Sequence, residues 1–335
     1  MQQVVVHGPN DVRIVEVPKP EPGPKDALVR VAACGICGSD LHYVAMGGLP
    51  IPGGGPMPLG HEFSGVVEAL GREVTGVRIG ERVAVRGEAA GNRIGSGGAG
   101  GFAPFVLLRN VCDDNGLHPL PDALSFEEGA LVEPLGVAMH AVNEGEVRPG
   151  EKAVVFGAGP IGLSAIACLR HRGIDDIVAV DLSEKRLALA RRLGARSVAN
   201  AAGDPWAEIG RAHGRGQVHG QPVVSSDVYI ETTGAETVAR GILEHAKFRA
   251  RMVVLAIYER DVTLPFLQVM AKELRIRGSI ALGQEFPAVL EMLASKRMDV
   301  SPMITHRFGF DRFLDALATA RRTDEAAKVM VSFPG

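Results

Sequence analysis

The segment KAVVFGAGPIGLSAIACLRHRGIDDIVAVD, residues 152–181, carries the strongest signal for the fold class. An apolar run leads into a glycine turn, a helix-like stretch ends at Gly173, and a second apolar run ends at Asp181. A strand, a G-x-G-x-x-G turn, a helix and a second strand ending in an acid are typical of a parallel βαβ unit that binds a dinucleotide. The alternative is a glycine turn that binds nothing, but the complete context favours the cofactor site.

Each residue type in the turn has a physical role. Gly157 permits the tight turn, Gly159 lets the backbone approach a pyrophosphate, and Gly162 lets the helix pack closely on the strand. Pro160 and Ile161 lie at the start of the helix, whose free N–H groups and positive dipole end attract phosphates. The turn and the helix start are therefore predicted to bind the cofactor phosphates.

Asp181 is predicted to select the cofactor. It follows Gly157 by 24 residues, close to the roughly 20 that separate the motif from the ribose-binding acid. Its carboxylate would accept hydrogen bonds from an adenosine ribose and repel a 2′-phosphate, which predicts NAD rather than NADP. Arg186 is predicted to contact the cofactor, and with Lys185 it would soften this preference.

The rest of the chain falls into two patterns. Up to about residue 110, extended runs such as DALVRVAAC, EFSGVVEAL and ERVAVR alternate with glycine and proline turns, which predicts a β-rich region. After about residue 150, strand-like runs (SVANA, SDVYIETTG, RMVVLAI, LRIRGSI) alternate with helices, which predicts a doubly wound parallel sheet in an α/β fold. The glycine-rich stretch GNRIGSGGAGG, residues 91–101, is predicted to be a flexible loop.

Composition excludes several classes of function. The net charge is -3 without a basic run, so neither nucleic acid nor an anionic membrane is an expected partner. No apolar run reaches the ~18 residues of a spanning helix, and the N-terminus lacks the features of a secretory signal. Four cysteines in 335 residues do not form a disulfide framework. These features predict a cytoplasmic protein whose partner is a small molecule.

A second motif, CGICGSDLHY, runs from Cys34 to Tyr43. A redox pair would start a helix within its own βαβ unit, and a structural zinc site would need four closed ligands, whereas no second C-x-x-C exists. What remains is a single cysteine that acts with distant partners. GHEFSG (residues 60–65) and LVEPLGVAMHA (residues 131–141) suggest those partners.

Together these motifs resemble the zinc-dependent medium-chain dehydrogenases, within them the sorbitol, butanediol and threonine dehydrogenase branch. The resemblance covers nearly the whole length, and the motifs match in order and spacing. It implies a GroES-like β-rich catalytic domain formed by residues 1–140 and 281–335, and a Rossmann NAD-binding domain formed by residues 141–280. It also implies a homodimer or homotetramer.

The resemblance implies a catalytic zinc site. Cys37 and His61 would bind the metal, and Glu62 and Glu133 would share the remaining protein ligand position, directly or through water. Thiolate, imidazole and carboxylate leave one position open for a substrate oxygen, where the metal stabilises an alkoxide near neutral pH. Cys34 would have no ligand role and would be a small buried hydrophobic residue.

The same resemblance implies the remaining roles. Ser39 and His42 would relay the hydroxyl proton through the cofactor ribose to solvent, and Asp40 would orient His61. Tyr43 would line the substrate pocket or, alternatively, pack as a loop aromatic. The implied reaction transfers hydride between NAD and a secondary alcohol or vicinal diol, with the ketone as substrate in reverse.

Two departures from the family pattern refine these expectations. Residues 88–102, EAAGNRIGSGGAGGF, hold no cysteine, so one catalytic zinc and no structural zinc are expected. Ala281 stands about where sorbitol-type enzymes place an arginine, which favours a less polar alcohol or diol over sorbitol. A sorbitol-type or L-threonine dehydrogenase is the alternative. A zinc-free quinone reductase or a non-catalytic nucleotide-binding relative is more remote, because it predicts loss of Cys37, His61 and Glu62.

Overall fold

Runs rich in β-branched residues between glycine and proline turns form the strands, as their propensity favours. The computed structural model describes residues 1–51, 54–114, 116–280 and 284–334. In chain order the strands are β1 (Gln2–Gly8), β2 (Asp11–Glu16), β3 (Ala27–Ile36), β4 (Met57–Pro58), β5 (Glu62–Leu70), β6 (Arg82–Val85), β7 (Phe105–Leu108), β8 (Leu117–Pro119), β9 (Lys152–Phe156), β10 (Asp176–Asp181), β11 (Ser197–Asn200), β12 (Arg215–Val218), β13 (Gln221–Val224), β14 (Val228–Glu231), β15 (Arg251–Val254), β16 (Arg275–Gly278), β17 (Ile304–Gly309) and β18 (Lys328–Ser332).

Some of the helices begin or end at residue types that typically cap helices. Ser183 is the N-cap of its helix, and its side chain accepts a hydrogen bond from the Arg186 N–H. Gly173 and Gly194 have φ angles of 80° and 107° just beyond two helix ends, where glycine tolerates the left-handed conformation. The helices are α1 (Gly38–Met46), α2 (Phe126–Ala130), α3 (Val132–Glu144), α4 (Pro160–His171), α5 (Glu184–Arg192), α6 (Pro205–His213), α7 (Glu236–His245), α8 (Phe266–Ala271), α9 (Phe286–Ala294) and α10 (Phe313–Ala320).

The chain divides into two compact units. The first comprises Met1–Glu133, Phe286–Lys296 and Ile304–Gly335, and the second comprises Pro134–Glu285 and Arg297–Met303. The main boundaries lie within seven residues of the predicted ones, but the return of 297–303 to the second unit is not part of the prediction. The roles assigned to the two segments stay predictions. Among the described residues, no helix is long and apolar enough to cross a membrane.

The first unit is built on a mostly antiparallel sheet in the order β17-β18-β3-β5-β6-β8, with β7 also paired to β3. Its register brings separate parts of the sequence together at one end of β3. Gly35 lies opposite Glu62 on β5 and opposite Met330 on β18. A short sheet in the order β2-β1-β4 completes the unit's strand pairing. Residues distant in sequence therefore meet where β3 ends.

The second unit contains a six-stranded parallel sheet in the order β11-β10-β9-β14-β15-β16. Its order reverses between β9 and β14, which is the switch point where doubly wound sheets bind ligands. The predicted α/β class and doubly wound sheet are confirmed. The hairpin β12–β13 was not predicted, and it lies outside this sheet.

Candidate metal and dinucleotide sites

Three metal-binding side chains converge at the end of β3. One ligand atom each from Cys37, His61 and Glu62 lies within 4.8 Å of the others. Cys37 is the N-cap residue of α1, where the positive end of the helix dipole stabilises a thiolate. His61 directly precedes β5 and Glu62 begins it. The sheet register therefore assembles the three groups from two segments of the chain.

Asp40 is a fully buried carboxylate that joins these segments. Its Oδ2 accepts the Cys37 N–H at 2.9 Å, and its Oδ1 accepts the Gly60 N–H at 3.2 Å. The same Oδ1 lies 3.6 Å from Nδ1 of His61, an ion-pair distance rather than a hydrogen bond. Nε2 of His61 faces the Ser39 Oγ at 3.4 Å. Asp40 thus orients the imidazole mainly through the backbone on either side.

The charges around His61 oppose the effect of its burial. Burial lowers the pKa of this imidazole, but Asp40 and Cys37 together raise it by more, so that its pKa lies well above the usual value. This site therefore favours a cation at the imidazole position. A metal ion would take the place of that proton, because imidazole binds metals in its neutral form.

Glu62 forms a buried ion pair with Lys328 that the sequence motifs do not predict. Lys328 Nζ lies 2.6 Å and 2.5 Å from the two carboxylate oxygens and donates to the Ile36 carbonyl at 3.2 Å. The Lys328 side chain is 1% exposed and that of Glu62 0%. Burial lowers the pKa of Lys328, but Glu62 and other neighbouring anionic groups raise it by more.

The sequence offered two signals for this pair. Lys328 is a lone charge in the apolar run AAKVMV, which a surface lysine does not explain. Gly35 provides the space for the pair, because a Cβ there would overlap Oε2 of Glu62 and lie 3.2 Å from Cδ of Lys328. Steric exclusion of a Cβ thus explains why a glycine lies between the two cysteines of the C-x-x-C motif.

Glu133 differs from Glu62 in its surroundings. It lies in the first turn of α3 and is not part of the 4.8 Å group of ligand atoms found among the described residues. Burial raises the pKa of Glu133 to about 7, with Glu62 adding to the increase and His61 opposing it. The two carboxylates are therefore near enough to interact, but the ligand cluster itself contains Glu62.

The other residues predicted on this segment lie on α1. Ser39 contacts His61, as described, and His42 lies one turn further along with its ring centroid 6.4 Å from that of Tyr43. Tyr43 is partly buried and packs against the apolar core of the first unit. This contact supports the packed-aromatic alternative for Tyr43.

Cys34 has a different environment from Cys37. It is fully buried in the apolar core of the first unit, and its pKa is raised well above the usual value because burial disfavours the thiolate. It faces Phe63 and Val331 across the sheet. The structure thus places Cys34 in the apolar core and Cys37 in the ligand cluster.

The donor set fits a zinc ion. A thiolate, an imidazole and a carboxylate are typical zinc ligands, and bonds of 2.0–2.3 Å in tetrahedral geometry place ligand atoms about 3.5 Å apart. The 4.8 Å limit therefore requires only a small contraction around the metal. Three protein ligands would leave one position open.

The glycine turn of the second unit has the conformation that its sequence predicts. Gly157 has a φ of 92°, and a Cβ there would lie 2.5 Å from the Thr232 hydroxyl oxygen. A Cβ on Gly162 would overlap the Gly157 carbonyl. Gly159 is the N-cap of α4, and Pro160 is its first residue. The turn thus presents free N–H groups at the switch point and fits a dinucleotide pyrophosphate.

Asp181 and Arg186 both lie at this turn. The Asp181 carboxylate accepts the Ala158 N–H at 2.6 Å and the Ser183 N–H at 2.8 Å, joining the turn to the loop after β10. Nη1 of Arg186 lies 3.6 Å from where a Cβ on Gly159 would be. The predicted cofactor residues of the second unit are therefore neighbours, whereas Ala281 lies outside the described residues.

Comparisons with known proteins find similarity in both parts of the chain. Residues 23–122 match the alcohol dehydrogenase GroES-like domain, and residues 160–295 match the zinc-binding dehydrogenase family. Human sorbitol dehydrogenase is 35% identical over 338 residues, covering 95% of this chain and 92% of the relative.

Solved structures extend this similarity to the fold. The 2R,3R-butanediol dehydrogenase of Bacillus subtilis has a TM-score of 0.88 and 32% identity, covering 100% of this chain and 99% of the other. A candidate zinc-binding dehydrogenase from Sinorhizobium meliloti, bound to NADP, has a TM-score of 0.85 and 26% identity, covering 99% and 98%. With this likeness along its whole length, the chain belongs to the zinc-dependent medium-chain alcohol and polyol dehydrogenases, oxidoreductases that act on alcohol groups.

Proposed function

We propose that this protein transfers hydride between NAD and a secondary alcohol whose neighbouring carbon also carries a hydroxyl, with the ketone as substrate in reverse. The cluster of Cys37, His61 and Glu62 carries the proposal, because its three donors suit one zinc ion with an open position. Bound there, zinc would act as a Lewis acid and lower the pKa of a coordinated hydroxyl. A single zinc per chain is proposed, since residues 88–102 hold no thiol.

The side chains of α1 would move the proton. Ser39 Oγ lies beside Nε2 of His61, the nitrogen that faces away from Asp40, so it is well situated to accept the proton of a substrate hydroxyl. His42 follows three residues later and lies on the same face of the helix. We propose that Ser39 passes the proton through the cofactor ribose to His42 and then to solvent.

The substrate class rests on chemistry shared by two relatives. Sorbitol and 2,3-butanediol, which name the human and the Bacillus enzymes, both carry hydroxyls on adjacent carbons. The specific alternative is a sorbitol-type enzyme, which the eight sorbitol dehydrogenases at 32–35% identity favour. L-Threonine remains a further candidate of the same branch.

The experiment measures kcat/KM by NADH absorbance for 2,3-butanediol, sorbitol, L-threonine and 2-butanol, together with zinc content. We expect one zinc per chain and the highest efficiency with 2,3-butanediol. Highest efficiency with sorbitol would select the alternative. No oxidation of any alcohol by the zinc-loaded protein, or two zincs per chain, would contradict the proposal.

We further propose that the protein assembles as a homodimer or homotetramer in the cytoplasm, through the edge of the second unit's sheet. β16 is an edge strand of the described sheet, and its four residues are exposed. Helix α8 exposes Phe266, Leu267 and Met270, each at 68%. A second copy that pairs along β16 would satisfy the edge and cover these apolar side chains.

The mass in solution tests this assembly. Light scattering should give two or four chains per particle, and Met270→Glu combined with Leu267→Glu should shift the mass towards the monomer. Leu182→Glu, at another residue that is 70% exposed, serves as the control and should leave the mass unchanged. A monomeric wild-type protein would contradict the assembly.

A further inference from the structure

The glycine-rich stretch at 91–101 is packed and not the flexible loop that its composition predicts. The Gly101 N–H donates to the Gly60 carbonyl at 2.7 Å, and the Phe102 N–H donates to the Leu59 carbonyl at 3.1 Å. Within the stretch, the Gly95 N–H donates to the Ala99 carbonyl at 2.7 Å. The stretch is thus held against residues 59 and 60, directly before His61.

Gly95 and Gly100 approach this backbone more closely than a residue with a Cβ could, and Gly101 is in tight contact with it. A Cβ on Gly100 would overlap the Leu59 carbonyl. A Cβ on Gly95 would lie 2.6 Å from the Gly60 carbonyl oxygen and 3.0 Å from Cβ of His61. A Cβ on Gly101 would lie 3.2 Å from that carbonyl oxygen and 3.1 Å from the buried sulfur of Cys34. We call Gly95, Gly100 and Gly101 the glycine clamp.

The clamp acts on a backbone that is also held from the other side. Gly60 has a φ of 93°, and its N–H donates to the buried Asp40 carboxylate, which also accepts the Cys37 N–H. A Cβ on Gly60 would lie 2.8 Å from the Phe102 backbone nitrogen. The chain leading into His61 is therefore fixed between Asp40 and the stretch that contains the clamp.

We propose that the glycine clamp is a positioning element of the metal site, which sets His61 relative to Cys37 and thereby tunes metal affinity and coordination geometry. The proposal rests on the proposed zinc site. Metal affinity depends on groups that hold the ligands as well as on the ligands, and loss of such a group typically lowers affinity about 10–100-fold. Close backbone packing, rather than a side-chain hydrogen bond, would provide this support here.

The test compares Gly95→Ala and Gly100→Ala with Gly98→Ala in the same stretch. Gly98 is the matched control for Gly100, because neither has the left-handed φ of Gly95 and a Cβ on Gly98 meets nothing within 4 Å. Zinc affinity is measured by competition with a chelator, and the visible absorption of the Co²⁺-substituted protein reports the coordination geometry. Circular dichroism of the metal-free proteins checks the fold.

We expect Gly95→Ala and Gly100→Ala to weaken zinc binding about 10–100-fold, to change the Co²⁺ spectrum and to lower kcat while the KM for NAD stays unchanged. Gly98→Ala should match the wild type. Folded clamp variants with wild-type zinc affinity and Co²⁺ spectrum would overturn the proposal. A wild-type protein that binds no zinc would instead refute the proposed function.

A second variant keeps the test decisive if the clamp variants do not fold. Ile94, a buried neighbour of Gly95, anchors the stretch, and its N–H donates to the Gly87 carbonyl at 3.0 Å. Ile94→Val removes one methyl group, a change small enough for the protein to keep its fold. A smaller change of zinc affinity and Co²⁺ spectrum in the same direction supports the clamp, and a Co²⁺ spectrum identical to that of the wild type overturns it.

Discussion

Cys34 and Cys37 stand three residues apart but should differ completely in function. Cys37→Ala should abolish zinc binding and turnover, because alanine cannot replace a thiolate in a set of three ligands. Cys34→Ala should keep both and cost roughly 1 kcal/mol of packing, since the Cys34 sulfur lies in the apolar core. Zinc content after dialysis and initial rates test this prediction. Equal loss of zinc in both variants would show that both cysteines of the C-x-x-C motif bind the metal.

Lys328 should matter for stability as well as for the site. In zinc-free protein, Lys328→Met leaves the Glu62 carboxylate buried without its partner, which typically costs about 3–5 kcal/mol. The double variant with Glu62→Gln removes both charges and should recover much of that loss. Urea unfolding in the presence of a chelator measures the free energy of unfolding of the wild type, of Lys328→Met and of the double variant. A double variant no more stable than Lys328→Met would contradict the ion-pair interpretation.

His118 should make stability depend on pH. Burial, together with the Arg86 charge, lowers its pKa from 6.5 to about 4. Between these values the unfolded chain binds a proton that the folded protein excludes, so stability should fall as pH decreases from about 6.5 to 4. The slope contributed is at most about 1.4 kcal/mol per pH unit. His118→Phe should flatten this part of the profile, as measured by urea unfolding, and an unchanged slope would exclude His118 as its source.

Among the elements, α1 concentrates the proposed chemistry, with Cys37 as its N-cap and Ser39 and His42 on its first turns. Ser39→Ala should lower kcat by about 10²–10⁴-fold, because Ser39 is proposed to receive the proton directly. His42→Ala should lower it less, since water can take over the last transfer. Stopped-flow single turnovers separate this step from product release. A fully active Ser39→Ala protein would remove the relay from the mechanism.

How far the sequence predicts an element depends on whether its signal is local. Residues 62–70 and 176–181 alternate or run apolar between turn residues, and both strands form at the predicted positions. The partner of Glu62 could not be predicted this way, because Lys328 lies 266 residues away and is brought close only by pairing of β18 with β3. The prediction for the glycine-rich stretch 91–101 was wrong for a related reason. Its composition suggests a flexible backbone, whereas packing against residues distant in sequence holds that backbone in place.

For the molecule as a whole, cofactor choice should depend on one charge. Asp181→Asn keeps an oxygen that can accept the Ala158 N–H but removes the negative charge that would repel a 2′-phosphate. We expect wild-type kcat/KM to be higher with NAD than with NADP, and the variant to shift this ratio towards NADP. Arg186, at the glycine turn, should favour NADP in both proteins, so the wild-type preference for NAD should be a bias rather than an exclusion of NADP. A wild-type enzyme equally efficient with NADP would show that Asp181 is not the selector.

The ion pair between Glu62 and Lys328 also affects the order of events during synthesis. A ribosome makes Cys37, His61 and Glu62 early, but β18 is the last strand among the described residues. Until that strand emerges and pairs with β3, Glu62 lacks Lys328 as its partner, and burying its carboxylate as an unpaired anion is costly. The ligand cluster therefore gains this counterion only after Lys328 has been translated, and a chain that terminates before Lys328 lacks it.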